Sequence, residues 1–281
     1  MTRPRSPIPA AALVLWALAA AGARAGEDGG AALTLDYRVY LGGLHVLSLS
    51  SALDQEREGG YRMTVAAHTD GLIGKFVDAS YEAESDGRAE GAVARSERYR
   101  GRSRDGDDAA RSVAVTYRRD AAPEVVFEPA DAAPDEPLPA DTIAATTDPV
   151  SAMLTLMRTL AETGRCEATM RVFDGRRRYD LVASDAGERT LTASRLAPYG
   201  GPARECSVRI DRIAGFRDGK LAKRYPDEIA IYLAPVFPGA PPVPVRLHAN
   251  NLFGALRMHL VNPQPAAADE RAGLDGALSR E

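Results

Sequence analysis

Residues 147–181 read TDPVSAMLTLMRTLAETGRCEATMRVFDGRRRYDL, and this stretch decides the fold. Val150, Met153, Leu154, Met157, Leu160 and Ala161 fall on one helical arc, while Ser151, Thr155, Arg158 and Glu162 take the other. Both ends of the helix are marked. Thr147 or Asp148 can accept from the first free N–H groups, Pro149 suits the first helical turn, and Gly164 supplies a left-handed stop. Past Cys166 the pattern changes to strand: Thr169 to Phe173 meets Asp174-Gly175, a strong hairpin turn, and returns over Arg177 to Ala183. A single amphipathic helix among strands must bury its apolar stripe, and the surface available to it is a sheet.

Upstream the chain alternates with period two. Leu33, Leu35, Tyr37, Val39 and Leu41 share one face; Gly42-Gly43 turns the chain into Leu44 to Leu53; Tyr61, Met63, Val65 and Ala67 line a third strand. Shorter strands are expected around Ala79 to Glu84, Ala92 to Tyr99, Arg111 to Tyr117 and Glu124 to Phe127, with turns at Asp86-Gly87 and Gly101 to Asp108. The apolar, glycine-bracketed segment Gly71 to Val77 is placed in the core, with a flap over a cavity as its alternative. Pro129 to Asp141 is read as an extended surface connection. Downstream, Gly187 is taken as a turn into Thr190 to Thr192, and strands follow at Cys206 to Ile210, Asp227 to Leu233, Pro244 to Leu247 and Leu256 to Leu260. From Asn262 the chain loses any buried pattern, so residues 263–281 are expected to form a disordered tail.

Arg3 and Arg5 precede an apolar run over Ala10 to Ala20, and Ala23-Arg24-Ala25 fits a small-x-small cleavage site. We therefore expect a signal peptide over residues 1–25, cut after Ala25, a single β-rich periplasmic domain over 26–262, and no transmembrane segment in the mature chain. Removing Arg3, Arg5 and Arg24 takes three positive charges from a chain already at −4, which argues against a nucleic-acid partner. Cys166 and Cys206 are the two cysteines, and in an oxidising compartment they form a disulfide, worth about 4 kcal/mol on the chain-entropy model. A redox or metal role would want a close cysteine pair or neighbouring histidines.

No catalytic constellation stands out: the chain has no Gly-x-Ser-x-Gly elbow, no His-Glu-x-x-His, no phosphate loop and no dinucleotide fingerprint. His45, His68, His248 and His259 are isolated in sequence, so no metal site and no cofactor is expected. Arg171, Arg176, Arg177 and Arg178 make a local cationic group that would suit an anionic partner such as a lipid head group; the alternative is that they pair with Asp174 and Asp180. The methionine stripe of the helix would suit an apolar ligand, with Met153, Leu154 and Met157 as wall residues; the alternative is a helix that simply plugs the core.

Asp148-Pro149 opening a helix, a cysteine just past its end, Phe173-Asp174-Gly175-Arg176-Arg177-Arg178-Tyr179-Asp180-Leu181, a second cysteine and the strand Pro242-Val243-Pro244-Val245-Arg246 together resemble the exported bacterial proteins grouped as domain-of-unknown-function family 3108. The resemblance covers about Leu33 to Leu260 and carries no catalytic residues with it. More remotely the pattern is similar to the periplasmic lipoprotein-carrier architecture, which implies a curved sheet with an apolar concavity. The expectation is a mainly β protein: a long curved or spiral antiparallel sheet, open and barrel-like, with one packed helix and one disulfide. Its expected role is non-enzymatic, in cell-envelope homeostasis, by binding a lipid-like ligand between sheet and helix. An envelope scaffold that docks a protein partner is the alternative, and a hydrolase of envelope polymers the third.

Overall fold

The computed structural model describes residues 31–55, 59–71, 74, 76–106, 108–216, 226–251 and 254–265. The expected signal peptide, Leu72 and Ile73 of the glycine-bracketed segment, and the chain from residue 266 on lie outside these residues. The strands are β1 (Ala31–Leu41), β2 (Leu44–Gln55), β3 (Gly60–Thr69), β4 (Ala79–Glu90), β5 (Val93–Asp105), β6 (Arg111–Arg118), β7 (Ala121–Glu128), β8 (Ala168–Phe173), β9 (Arg178–Leu191), β10 (Gly201–Ala214), β11 (Glu228–Ala234), β12 (Val243–Asn251) and β13 (Gly254–Pro265). Between β7 and β8 lie a 3-10 turn (Ala130–Ala132), the short helix α1 (Ala140–Ile143) and the long helix α2 (Pro149–Thr163).

All thirteen strands form one antiparallel sheet in the order β7-β6-β5-β4-β3-β2-β1-β13-β12-β11-β10-β9-β8. Two meanders, β1 to β7 and β8 to β13, are zipped together where β1 pairs with β13 from Leu33 opposite Pro265 to Leu41 opposite Leu256. Leu33, Leu35, Tyr37 and Val39 of β1, with Ile229 and Ile231 of β11 and Leu256 and Met258 of β13, point to the buried side. Twist accumulated over so many strands curls the sheet, and here one end tucks inside the other. The tip of the β8–β9 hairpin packs on β6, where a methyl on Gly175 would meet Val113 Cγ2 at 2.5 Å, and the Tyr117 hydroxyl donates to the Phe173 carbonyl. The architecture is the expected open, rolled antiparallel sheet with a packed helix.

Helix α2 has the expected ends: the Asp148 carboxylate accepts from the N–H groups of Val150 and Ser151, and Gly164 closes the helix at φ 71°. Half of its expected solvent arc needs correction: Ser151 and Thr155 are buried along with the apolar stripe, while Arg158 is half-buried and Glu162 exposed. The helix is enclosed between β4–β5 on one side and β8 on the other. Over its first turns both faces are therefore inside, and Thr155 is satisfied locally: it donates to the Ser151 carbonyl and accepts from Ala94 N–H.

Two expected turns are strand, and a third begins later than expected. Gly87 lies within β4, where the register shifts, and a Cβ on it would come 2.0 Å from the Arg95 carbonyl oxygen. Gly187 lies within β9 at φ 89°, beside the register shift between Arg204 and Cys206. Both mark irregularities in a ladder, which a lone sequence does not separate from a reversal. Of the third, Gly101 to Asp105 belong to β5 and the chain turns from Gly106; Gly101 approaches the Tyr99 and Tyr81 hydroxyls closely. The segment from Gly71 does not bury its aromatic residue, since Phe76 is 86% exposed. The surface connection before α2 contains the 3-10 turn and α1, and β13 continues through Pro265 past the expected start of the tail.

Candidate functional site

The concave side of the sheet is occupied by α2 and by the β8–β9 hairpin, and each brings a carboxylate inside with it. Asp148 is fully buried at the head of α2, where Ser85 of β4 donates to its Oδ2 at 2.7 Å and Ser151 donates to the same oxygen. The Ser151 hydroxyl also meets Ser85 at 2.9 Å and the Tyr61 hydroxyl at 2.6 Å. Burial raises the pKa of Asp148 above the usual carboxylate range, and the hydrogen bonds from Ser151 and Ser85 oppose that shift. The network keys the start of α2 to β3 and β4.

Asp174 does the same for the hairpin. It is fully buried, its Oδ1 accepts from the N–H groups of Arg176 and Arg177 at 2.8 and 2.7 Å, and the Arg177 guanidinium lies 3.4 Å from Oδ2. Burial pushes its pKa up against the pull of Arg177. The arginines expected to form a cationic patch are mostly turned inward. Arg176 donates to the Ala132 carbonyl with its guanidinium over the Phe127 ring, and Arg178 is buried, bridging Asp180 at 2.6 Å and the Thr142 carbonyl at 3.2 Å. Arg171 stays exposed on β8. The hairpin cations thus serve to seat the turn, and they are not gathered on one face.

Among the described residues, a half-open cleft of about 230 Å³ remains between α2 and the sheet. Leu53, Leu154, Met157, Ala161 and Pro241 give it apolar walls, and Gln55, Arg158 and Glu162 complete the lining. Leu154 and Met157 of the expected wall residues line it; Met153, also buried, packs in the core instead. Arg158 is held by two hydrogen bonds to the Gly91 carbonyl and stands 3.5 Å from Glu162, so a polar edge is fixed beside the apolar wall. Gln55 and Pro241 were not foreseeable from the sequence, because they reach the helix only through sheet curvature and the β11–β12 connection. The bridge between Cys166 and Cys206, with Cα atoms 5.6 Å apart, ties the end of α2 to β10. No group of three or more His, Cys, Asp or Glu side chains with metal-binding geometry occurs among the described residues, and no helix among them is long and apolar enough to cross a membrane.

The family model described as protein of unknown function (DUF3108) matches residues 36–261. The crystal structure of a beta-barrel-like protein of domain of unknown function DUF1849 from Brucella abortus aligns with a TM-score of 0.51 at 12% identity, over 84% of this chain and 98% of that one. At that identity the likeness is one of fold. No curated protein matches the chain.

Proposed function

The chain belongs to the DUF3108 family of proteins of unknown function, and on that premise we propose a non-enzymatic, exported protein of the cell envelope that holds an apolar chain end in the cleft beside α2. The cleft carries this reading: it is a space between helix and sheet with an apolar wall and an open mouth. Its volume of about 230 Å³ falls below the roughly 300–1,000 Å³ usual for small-molecule sites, so it suits the end of one chain and not a whole lipid. The disulfide supports export, since such bridges persist in oxidising compartments. A non-enzymatic role is supported by the two interior carboxylates, Asp148 and Asp174, which are sealed from solvent and already engaged.

Ala161 is exposed and lines the cleft, so Ala161→Trp fills the mouth without opening the core. We expect the variant to bind a fluorescent long-chain fatty acid at least about tenfold more weakly than the parent, a difference of roughly 1.4 kcal/mol. Equal binding by both proteins sinks the cleft assignment. Organic extraction of protein purified without detergent from its native envelope, followed by mass spectrometry, then identifies the occupant. A scaffold role is the second reading, favoured by the β7 edge, where Val126 is 59% exposed. Crosslinking in the native host that recovers a stoichiometric protein partner, with a blank extract, decides for it.

A further inference from the structure

On the convex face, away from the cleft, the register of four strands assembles a cluster that no stretch of sequence displays. Arg246 and His248 of β12 stand directly opposite His259 and Arg257 of β13, and β1 adds Arg38 opposite His259 and Tyr40 opposite Arg257. The result is a checkerboard of guanidinium and imidazole groups. Its aromatic sides are close: Tyr232 stacks edge-on at 5.3 Å from His248, Tyr40 lies 5.9 Å from His259, and the two imidazoles are 6.4 Å apart.

Three observations make this more than a solvated charged face. First, no carboxylate among the described residues pairs with Arg38, Arg246 or Arg257, although sixteen other arginines have one within 4.0 Å; what Arg246 and Arg257 do have is one backbone carbonyl each, those of Thr192 and Leu256, both at 3.1 Å.

 

Those sixteen run from Arg62 to Arg212; Arg100, Arg102 and Arg171 also lack a carboxylate within 4.0 Å among the described residues, but they are exposed, whereas Arg246 and Arg257 are half-buried. Second, Arg246 Nε and His259 Nδ1 are buried side-chain nitrogens with no hydrogen-bond partner among the described residues. Third, none of the neighbouring carboxylates among the described residues touches the three arginines: Glu205 pairs with Arg189, while Asp36 and Asp70 turn to Asn262 and Ser48. Like charges brought together on a half-buried face with no carboxylate in contact favour an anion between them.

We propose that Arg38, Arg246, His248, Arg257 and His259 form a binding site for a phosphoryl group on the convex face of the sheet. A carboxylate offers two oxygens, whereas these five side chains bring N–H donors from three strands, a set that suits the three or more oxygens of a phosphoryl group. Burial, then the charges of Arg246 and Arg257, hold both histidines at about 4, so the imidazoles of the free protein are neutral at pH 7. A bound dianion favours the imidazolium, so binding takes up protons and tightens as the pH falls.

The test follows the His248 and His259 ring resonances by NMR in the full mature protein, titrated with inorganic phosphate, with sodium chloride at equal ionic strength, and with phosphatidylcholine vesicles with and without phosphatidic acid. Phosphate that shifts both rings and raises their pKa from about 4, where chloride does not, supports a soluble phosphorylated ligand. A response confined to phosphatidic acid vesicles, with co-sedimentation, supports a lipid head group. Equal shifts with chloride, or none with any probe, overturn the site. Arg38→Gln, at an exposed position, should weaken the response about tenfold while leaving the fold intact, and unchanged binding by it and by Arg246→Gln likewise overturns the assignment.

Discussion

At the scale of single residues, the interior is held by a few polar side chains whose worth can be measured. Asp148→Ala removes the cap of α2 and leaves the buried hydroxyls of Ser85 and Ser151 without their acceptor. Adding a lost cap to unsatisfied buried groups, we expect a loss of about 2–4 kcal/mol in urea unfolding, with Asp148→Asn losing less because its amide oxygen still caps. A cost for Asp148→Ala no larger than that of an ordinary exposed cap would show that the network adds nothing. On the convex face the sign runs through the histidines. His248 and His259 have folded values of about 4 against 6.5 unfolded, so the unfolded chain binds more protons in that window. Stability should be full above pH 6.5 and fall as the pH drops to about 4, by on the order of 1 kcal/mol for each half-exposed ring after allowance for solvent screening. The double variant His248→Gln, His259→Gln should flatten the pH dependence of the melting temperature there; an unchanged slope assigns it to other groups. The Asp148 cap was legible in the sequence because a cap is a local signal. The burial of Asp174 and the convergence of the convex histidines were not, since both depend on which strands end up side by side.

At the scale of elements, the sheet's strands were readable from alternation and its irregularities were not. A glycine in a strand ladder and a glycine in a turn carry the same letter, and Gly87 and Gly187 were resolved only by pairing partners. The arc of α2 shows the same limit: Ser151 and Thr155 look like a solvent face, and enclosure by β4, β5 and β8 makes them part of the interior. The hairpin at Asp174-Gly175 was evident as a turn, yet its sequence does not say that the tip inserts against β6. Gly175 has φ 90°, and a methyl there would lie 2.5 Å from Val113 Cγ2 and 3.2 Å from Val115 Cγ2. Gly175→Ala therefore meets both backbone strain and overpacking, and should cost about 2–4 kcal/mol. Gly239→Ala is the control: its φ is 76° and nothing lies within 4 Å of the added methyl, so it should lose only about 1–2 kcal/mol from the backbone term. Equal losses in chemical denaturation at the two positions would mean that the hairpin tip is not packed in solution as it is in the structure.

At the scale of the whole molecule, the sheet order is a rotation of the chain order. Reading across the sheet from β8 to β13 and on through β1 to β7 follows one uninterrupted meander, broken only because the chain starts at β1. The β1–β13 ladder joins residues more than two hundred positions apart, as in the contact between Asp36 and Asn262 at a separation of 226. Closing so long a loop must precede any return from that pairing, which slows folding. Leu33 lies opposite Pro265, so the outer ends of β1 and β13 are neighbours that a short hairpin linker can join. The connection between β7 and α1 offers the complementary cut, between the exposed residues Glu136 and Pro137. A permutant running from Pro137 through β13, a short linker and β1 to Glu136 places every strand next to its sheet partner in sequence. It should keep the Cys166–Cys206 bridge and the parent circular-dichroism spectrum, and refold faster, by on the order of tenfold, because no strand pairing then spans the chain. A permutant that folds to the same state at the parental rate would show that β1–β13 closure is not what limits folding. One that fails to fold would place an indispensable nucleus across the β7–α1 connection, where the hairpin cation Arg176 reaches back to Ala132 and Phe127. The order of strands therefore makes the seam between the two meanders a kinetic feature of the chain as well as a structural one, and the permutant separates those two roles.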